Sequence, residues 1–103
     1  MLLESNYDID MLRRNPVYPI ATKQRIASDR GHLSNEACGR LAIRLAESGA
    51  KTLLLAHLSR ENNTPNTAYT CTASHLQRKG MKCGSDFTLD IAPVMTEGQY
   101  IAL

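Results

Sequence analysis

The stretch Thr52-Leu53-Leu54-Leu55-Ala56-His57-Leu58-Ser59-Arg60-Glu61-Asn62-Asn63-Thr64-Pro65 decides how the chain is read. Its apolar run, Leu53 to Ala56, is bounded by turn-forming residues and has the length of a strand covered on both faces, the kind found inside α/β layers. The run delivers His57 to its far end, and a dense polar loop of Ser59, Arg60, Glu61, Asn62 and Asn63 follows at once. His57 then sits at the carboxyl edge of the strand, where α/β folds gather ligands and metals because loops surround that edge. The residues alone leave two readings open: a ligand-facing histidine, or a capping histidine that hydrogen-bonds its own loop.

Upstream of this strand, the spacing predicts a helix over 34–48. Cys38, Leu41, Ala42 and Leu45 recur on one face, Ser34 is a good N-cap, and Leu33 and Cys38 stand at the spacing of a hydrophobic staple. Gly49 closes the helix, and Glu36 with Arg40 is expected to pair on its solvent side. Downstream, Thr64-Pro65 is an N-cap followed by proline at the first helical position, which predicts a helix over 65–79 ended by Gly80. Phe87, Leu89 and Ile91 then alternate with Thr88 and Asp90, the pattern of a half-buried strand. At the other end, residues 1–5 read as the tail of a buried strand whose beginning is missing. Asp8 caps a short helix through Met11 and Leu12, Pro16 and Pro19 break regularity, residues 21–27 form a further short helix, and residues 29–32 make a polar turn. Glu97-Gly98 reads as a turn, with Tyr100-Ile101-Ala102-Leu103 as a last strand or a tail. Helices alternating with apolar strands define an α/β class, with 1–103 forming one small domain or a piece of a larger one.

With 103 residues, 43% of them apolar, the chain can build one core. A balance of 12 basic against 10 acidic residues is too mild to announce nucleic acid on its own. The 3 cysteines, Cys38, Cys71 and Cys83, are far apart and form no C-x-x-C pair, which argues against a disulfide framework and a zinc ribbon and for reduced thiols in a cytoplasmic setting. No apolar run approaches the length of a membrane span, so no membrane partner is expected.

Two histidines arrive in similar dress, Gly31-His32-Leu33-Ser34 and Ala56-His57-Leu58-Ser59. Imidazole is a common neutral metal ligand and titrates near neutrality, so two of them at one edge can bind a metal or pass protons. His75 lies mid-helix and reads as a boundary residue, and Cys71, one turn from it, as packing. Ligand supply is short: besides two histidines there are scattered carboxylates, Glu4, Asp8, Asp29 and Glu61, and no H-x-H, H-E-x-x-H, phosphate loop or serine elbow.

Three motifs in order carry a resemblance: Glu4-Ser5-Asn6-Tyr7-Asp8 followed by Met11-Leu12; Ser28-Asp29-Arg30-Gly31-His32-Leu33-Ser34-Asn35; and Leu55 to Pro65 with Ala68-Tyr69. Spread over residues 2–69, they resemble the C-terminal half of metallo-β-lactamase-fold proteins of the YycJ/WalJ exonuclease group. The resemblance implies an αβ/βα sandwich and a metal-dependent hydrolase acting on the phosphodiester backbone of DNA with divalent zinc or manganese. By that resemblance His57 fills the position of the last metal-ligand histidine. His32 is similar to the loop histidine that relatives of the RNase Z type place beside the scissile phosphate, a catalytic role; otherwise it is a helix-entry residue bonded to backbone. Glu4, Asp8, Ser59, Glu61, Asn62 and Asn63 are implied around the ligand and along the cleft wall, with loop structure as the plain alternative for Glu4.

The family's H-x-H-x-D-H motif, its middle histidine and its bridging aspartate belong upstream of Glu4, and this sequence does not contain them. The expectation is therefore a truncated C-terminal fragment that binds metal weakly or not at all and is inactive alone. Its uncovered half-sandwich face is expected to favour self-association. A different reading makes the chain a non-catalytic interaction module that folds by self-association or with a separate N-terminal half. An RNA-cleaving enzyme of the same fold is a third. Aromatic stacking platforms for bases are scarce, with only Tyr7, Tyr18, Tyr69, Tyr100 and Phe87.

Overall fold

A computed structural model describes residues 2–28, 31–82 and 87–92. The strands are β1 (Leu2–Glu4), β2 (Thr52–Ala56) and β3 (Thr88–Ile91); the helices are α1 (Ile9–Arg14), α2 (Ile20–Ala27), α3 (Asn35–Glu47) and α4 (Pro65–Arg78). All three strands run parallel in the order β1-β2-β3, so the apolar run at 53–56 occupies the centre of the sheet. Parallel neighbours demand crossovers, and α1–α3 supply the first and α4 the second. This is the expected α/β organisation.

Alternation along β2 divides the core. Leu53 and Leu55 point to the face covered by α3 and α4, where they join Leu3, Phe87 and Leu89 from the sheet with Cys38, Ala42, Ala68 and Leu76 from the helices. Leu54 and Ala56 point the other way and cluster with Ala92. Both faces of β2 are thus buried, which explains its unbroken apolar sequence. By register, Leu2 shares the second face with Leu54, and it is 52% exposed.

Caps fix the helices where the sequence places them. Asp8 accepts a hydrogen bond from Met11 N, Ser34 from Ala37 N and Thr64 from Thr67 N. Each satisfies an amide that the first helical turn leaves without a partner. Gly49 and Gly80, at φ 105° and 78°, turn the chain out of α3 and α4 in the left-handed region that a glycine tolerates.

Glu36 departs from expectation. Instead of pairing with Arg40 in solvent it is half-buried, and its Oε2 is buried with no hydrogen-bond partner. Its charge, after burial, helps push the Tyr7 hydroxyl above its usual range. Cys83, Pro93, the Glu97-Gly98 turn and residues 100–103 lie outside the described residues, as do the first two positions of the polar turn at 29–32. Among the described residues no helix is long and apolar enough to cross a membrane.

Candidate functional site at the carboxyl edge of the sheet

Because β1 and β2 are parallel and in register, Glu4 and Ala56 are neighbours at the carboxyl edge, and the two loops leaving them start side by side. Ser5 N donates to Ala56 O at 2.9 Å, Asn6 N to Leu33 O at 2.8 Å and Ser59 N to Asn6 O at 2.7 Å. These bonds tie three segments together: the exit of β1, the entry to α3 that carries His32, and the exit of β2 that carries His57.

His32 is held by Glu4. One carboxylate oxygen lies 2.9 Å from His32 Nδ1, and the other accepts from Leu33 N at 2.9 Å. With Glu4 ionised, the short contact puts a proton on Nδ1 and leaves Nε2 as the ring's second nitrogen. The side chains are 50% and 26% exposed, so the pair contributes little to stability and chiefly orients the ring. Glu4 thus holds both the imidazole and the backbone of the loop behind it.

His57 is exposed and is the one non-glycine residue among those described with a positive φ, 57°. It lines a depression of about 400 Å³ with Asn6, Ser59, Arg60, Asn63 and Ile91. His32 lines a separate depression of about 330 Å³ with Tyr7, Ser28, Ser34 and Arg40. His57 therefore stands at the edge where the sequence places it, and His32 joins it at that edge in a different depression.

The remaining predicted residues separate by what they touch. Asp8 caps α1, and its amide donates to Asn62 O at 2.8 Å. Ser59 Oγ accepts from Asn62 N at 3.1 Å, closing the turn at 59–62. Asn62 Oδ1 accepts from Asn15 Nδ2 at 2.7 Å, and Glu61 Oε2 receives the Tyr18 hydroxyl at 3.4 Å, so this side of the loop faces the segment between α1 and α2. Asn63 faces inward. Its Nδ2 donates to Ser5 O and to Asn35 Oδ1, while its Oδ1 accepts from Asn35 Nδ2 and from Thr64 N, each at 2.9 Å. Ser5 Oγ completes the cluster by donating to Asn35 Oδ1 at 2.6 Å.

Asn6 and Asn35 are the residues that sequence reasoning missed. Both lie inside quoted motifs, and their signal was a polar side chain directly beside a strand end or a helix start, where orphan backbone groups need partners. His75 also has polar company: its Nδ1 lies 2.9 Å from Cys71 O, and its ring fills the space a side chain at Gly39 would occupy. Burial pushes the Cys71 thiol up to about 11, so it is protonated at neutral pH and packs rather than acts as a nucleophile.

Among the described residues, no three His, Cys, Asp or Glu side chains come together in a group able to hold a metal ion. A catalytic metal site needs at least three protein ligands, and the described residues do not by themselves supply them.

The chain is 38% identical over 101 residues to the exodeoxyribonuclease WalJ of Streptococcus pneumoniae, a match covering 93% of the chain and 37% of that protein. It is 37% identical over 102 residues to the exodeoxyribonuclease YycJ of Bacillus anthracis, covering 97% of the chain and 38% of that protein. The chain thus spans little more than a third of the length of the curated relatives it matches. No family model matches the sequence, and no solved structure matches the chain.

Proposed function

We propose, from its 37–38% identity over nearly all its length to the exodeoxyribonucleases WalJ and YycJ, that this chain works in metal-dependent hydrolysis of DNA phosphodiester bonds. In this reading it corresponds to the C-terminal part of a metallo-β-lactamase αβ/βα sandwich, in a cytoplasmic protein, and the parallel sheet contributes to one layer pair. The observation that carries the reading is the Glu4 carboxylate, which orients His32 at the same sheet edge to which β2 delivers His57.

That placement supports the following roles. Glu4 keeps the Nδ1 proton in place, and His32, when its ring is protonated on both nitrogens, gives the Nε2 proton to the departing oxygen of the phosphodiester and is left neutral with its proton on Nδ1. His57 contributes one donor to a divalent metal, zinc or manganese, and the other ligands come from outside the described residues. When bound, such an ion polarises a phosphoryl oxygen. Asp8, Ser59, Glu61, Asn62 and Asn63 hold the loop that presents His57 and shape the cleft in which DNA lies.

The test is a graft in which this chain replaces the matching segment of the pneumococcal enzyme, assayed for hydrolysis of end-labelled DNA. The graft is expected to hydrolyse DNA with added divalent metal, and His32→Ala to lower kcat by about 10²-fold or more. Glu4→Gln keeps the shape but loses the charge that orients the ring, with an expected loss of about 10- to 100-fold. A His32→Ala graft with undiminished kcat sinks the assignment.

A further inference from the structure

Asn6 makes contacts that the candidate machinery described above does not account for. It follows β1 by two residues and reaches both histidine-bearing segments. Its amide donates to Leu33 O at 2.8 Å, its carbonyl accepts from Ser59 N at 2.7 Å, and its side-chain Nδ2 donates to His57 O at 2.7 Å. The side chain thus grips the backbone of the one described non-glycine residue with a left-handed φ, 57°. A left-handed conformation is unfavourable for an L-residue and persists where surrounding bonds hold it. Position 57 lies where the buried run Leu53 to Ala56 of β2 ends and a polar loop begins.

We propose that Asn6 is a positioning residue: its side-chain amide holds His57 in the left-handed conformation, and its backbone fixes the His57 loop against the loop that carries His32. The asparagine sets where the His57 imidazole points and how it stands relative to His32, without itself touching a substrate. Aspartate, nearly the same shape, has no N–H to give to His57 O and places a charge against it. Alanine removes the grip altogether.

This inference rests on the reading of His57 as the ligand-facing residue, but its test reads geometry and not hydrolysis, so either can fail alone. The measurement is NMR of the full 103-residue chain, following the His57 amide-to-Hα coupling and imidazole resonances in the parent chain, Asn6→Asp and Asn6→Ala. The expected result is loss of the left-handed coupling and a shift of the His57 ring signals in both variants, with α3 and α4 resonances unchanged. A folded variant whose His57 signals match the parent overturns the proposal. If Asn6→Ala does not fold, His57→Gly is added to it, because glycine takes the left-handed conformation without the grip. Recovery of folding in the double variant supports the proposal, and failure to recover overturns it.

Discussion

Asn63→Ala is expected to destabilise the chain by about 2–5 kcal/mol, the sum of two or more buried polar groups left without partners at about 1–3 kcal/mol each. The side chain is 3% exposed and joins the exit of β1, the start of α3 and the start of α4 through Ser5 O, Asn35 and Thr64 N. Alanine orphans Ser5 O and Asn35 Nδ2 in the interior, while Thr64 N, nearer the surface, finds water. Urea unfolding followed by circular dichroism measures the change. A shift in midpoint worth less than about 0.5 kcal/mol, the range of an ordinary surface substitution, contradicts the view that this cluster fastens the three elements. Asn35→Ala cuts the same cluster, so its effect and that of Asn63→Ala should combine non-additively.

Leu55→Ala should cost a comparable amount, about 2–5 kcal/mol, through lost transfer free energy and the cavity left behind. Leu55 has no exposed surface, lies in the central strand and packs into the cluster formed with α3 and α4. Its neighbour Leu54 lies on the opposite face, is 8% exposed and belongs to the small cluster with Ala56 and Ala92. The two leucines are identical in chemistry and adjacent in sequence, so comparing their alanine variants isolates the effect of the face. Leu55→Ala should be the more damaging in chemical denaturation; equal costs contradict the described division of the core. For a domain of this length, whose total stability is on the order of 5–15 kcal/mol, the change removes a large share.

The elements written in local chemistry are legible in the sequence. The β2 run, the Ser34 cap of α3, the Thr64-Pro65 start of α4 and the alternation at 87–91 each follow from one residue's neighbours, and each is found where it was expected. Less legible was whatever depends on contacts far apart in sequence. The i,i+4 spacing places Glu36 in solvent with Arg40, yet its Oε2 is buried, and its charge adds to burial in raising the Tyr7 hydroxyl. Asn62 and Asn63 read alike as polar loop residues. The fold turns one toward Asn15 and the other into a buried cluster with Asn35 and Ser5, partners 28 or more residues away.

The candidate site divides in the same way. That β2 ends in His57 at a carboxyl edge is a property of one strand, whereas the left-handed φ of 57° is not. Nothing in the sequence around a histidine specifies that conformation, because it is held by the side chain of Asn6, two residues beyond β1. The pairing of Glu4 with His32 likewise spans 28 positions and is made only when β1 lies beside the entry to α3. The metal-ligand set is the least legible part. A parallel sheet edge can present single donors from several loops, but the described residues bring no three donors together.

The central claim is that His57 contributes to metal-dependent DNA hydrolysis in the whole assembly. It is tested most directly by His57→Ala in the graft of this chain into the pneumococcal enzyme, with bound divalent metal and the rate of DNA hydrolysis measured on the same folded sample. The account predicts that bound metal falls and hydrolysis is lost while circular dichroism and the unfolding midpoint stay close to those of the unmutated graft. Full metal content with an unchanged rate in His57→Ala would contradict it and return His57 to the role of a loop residue at the end of β2.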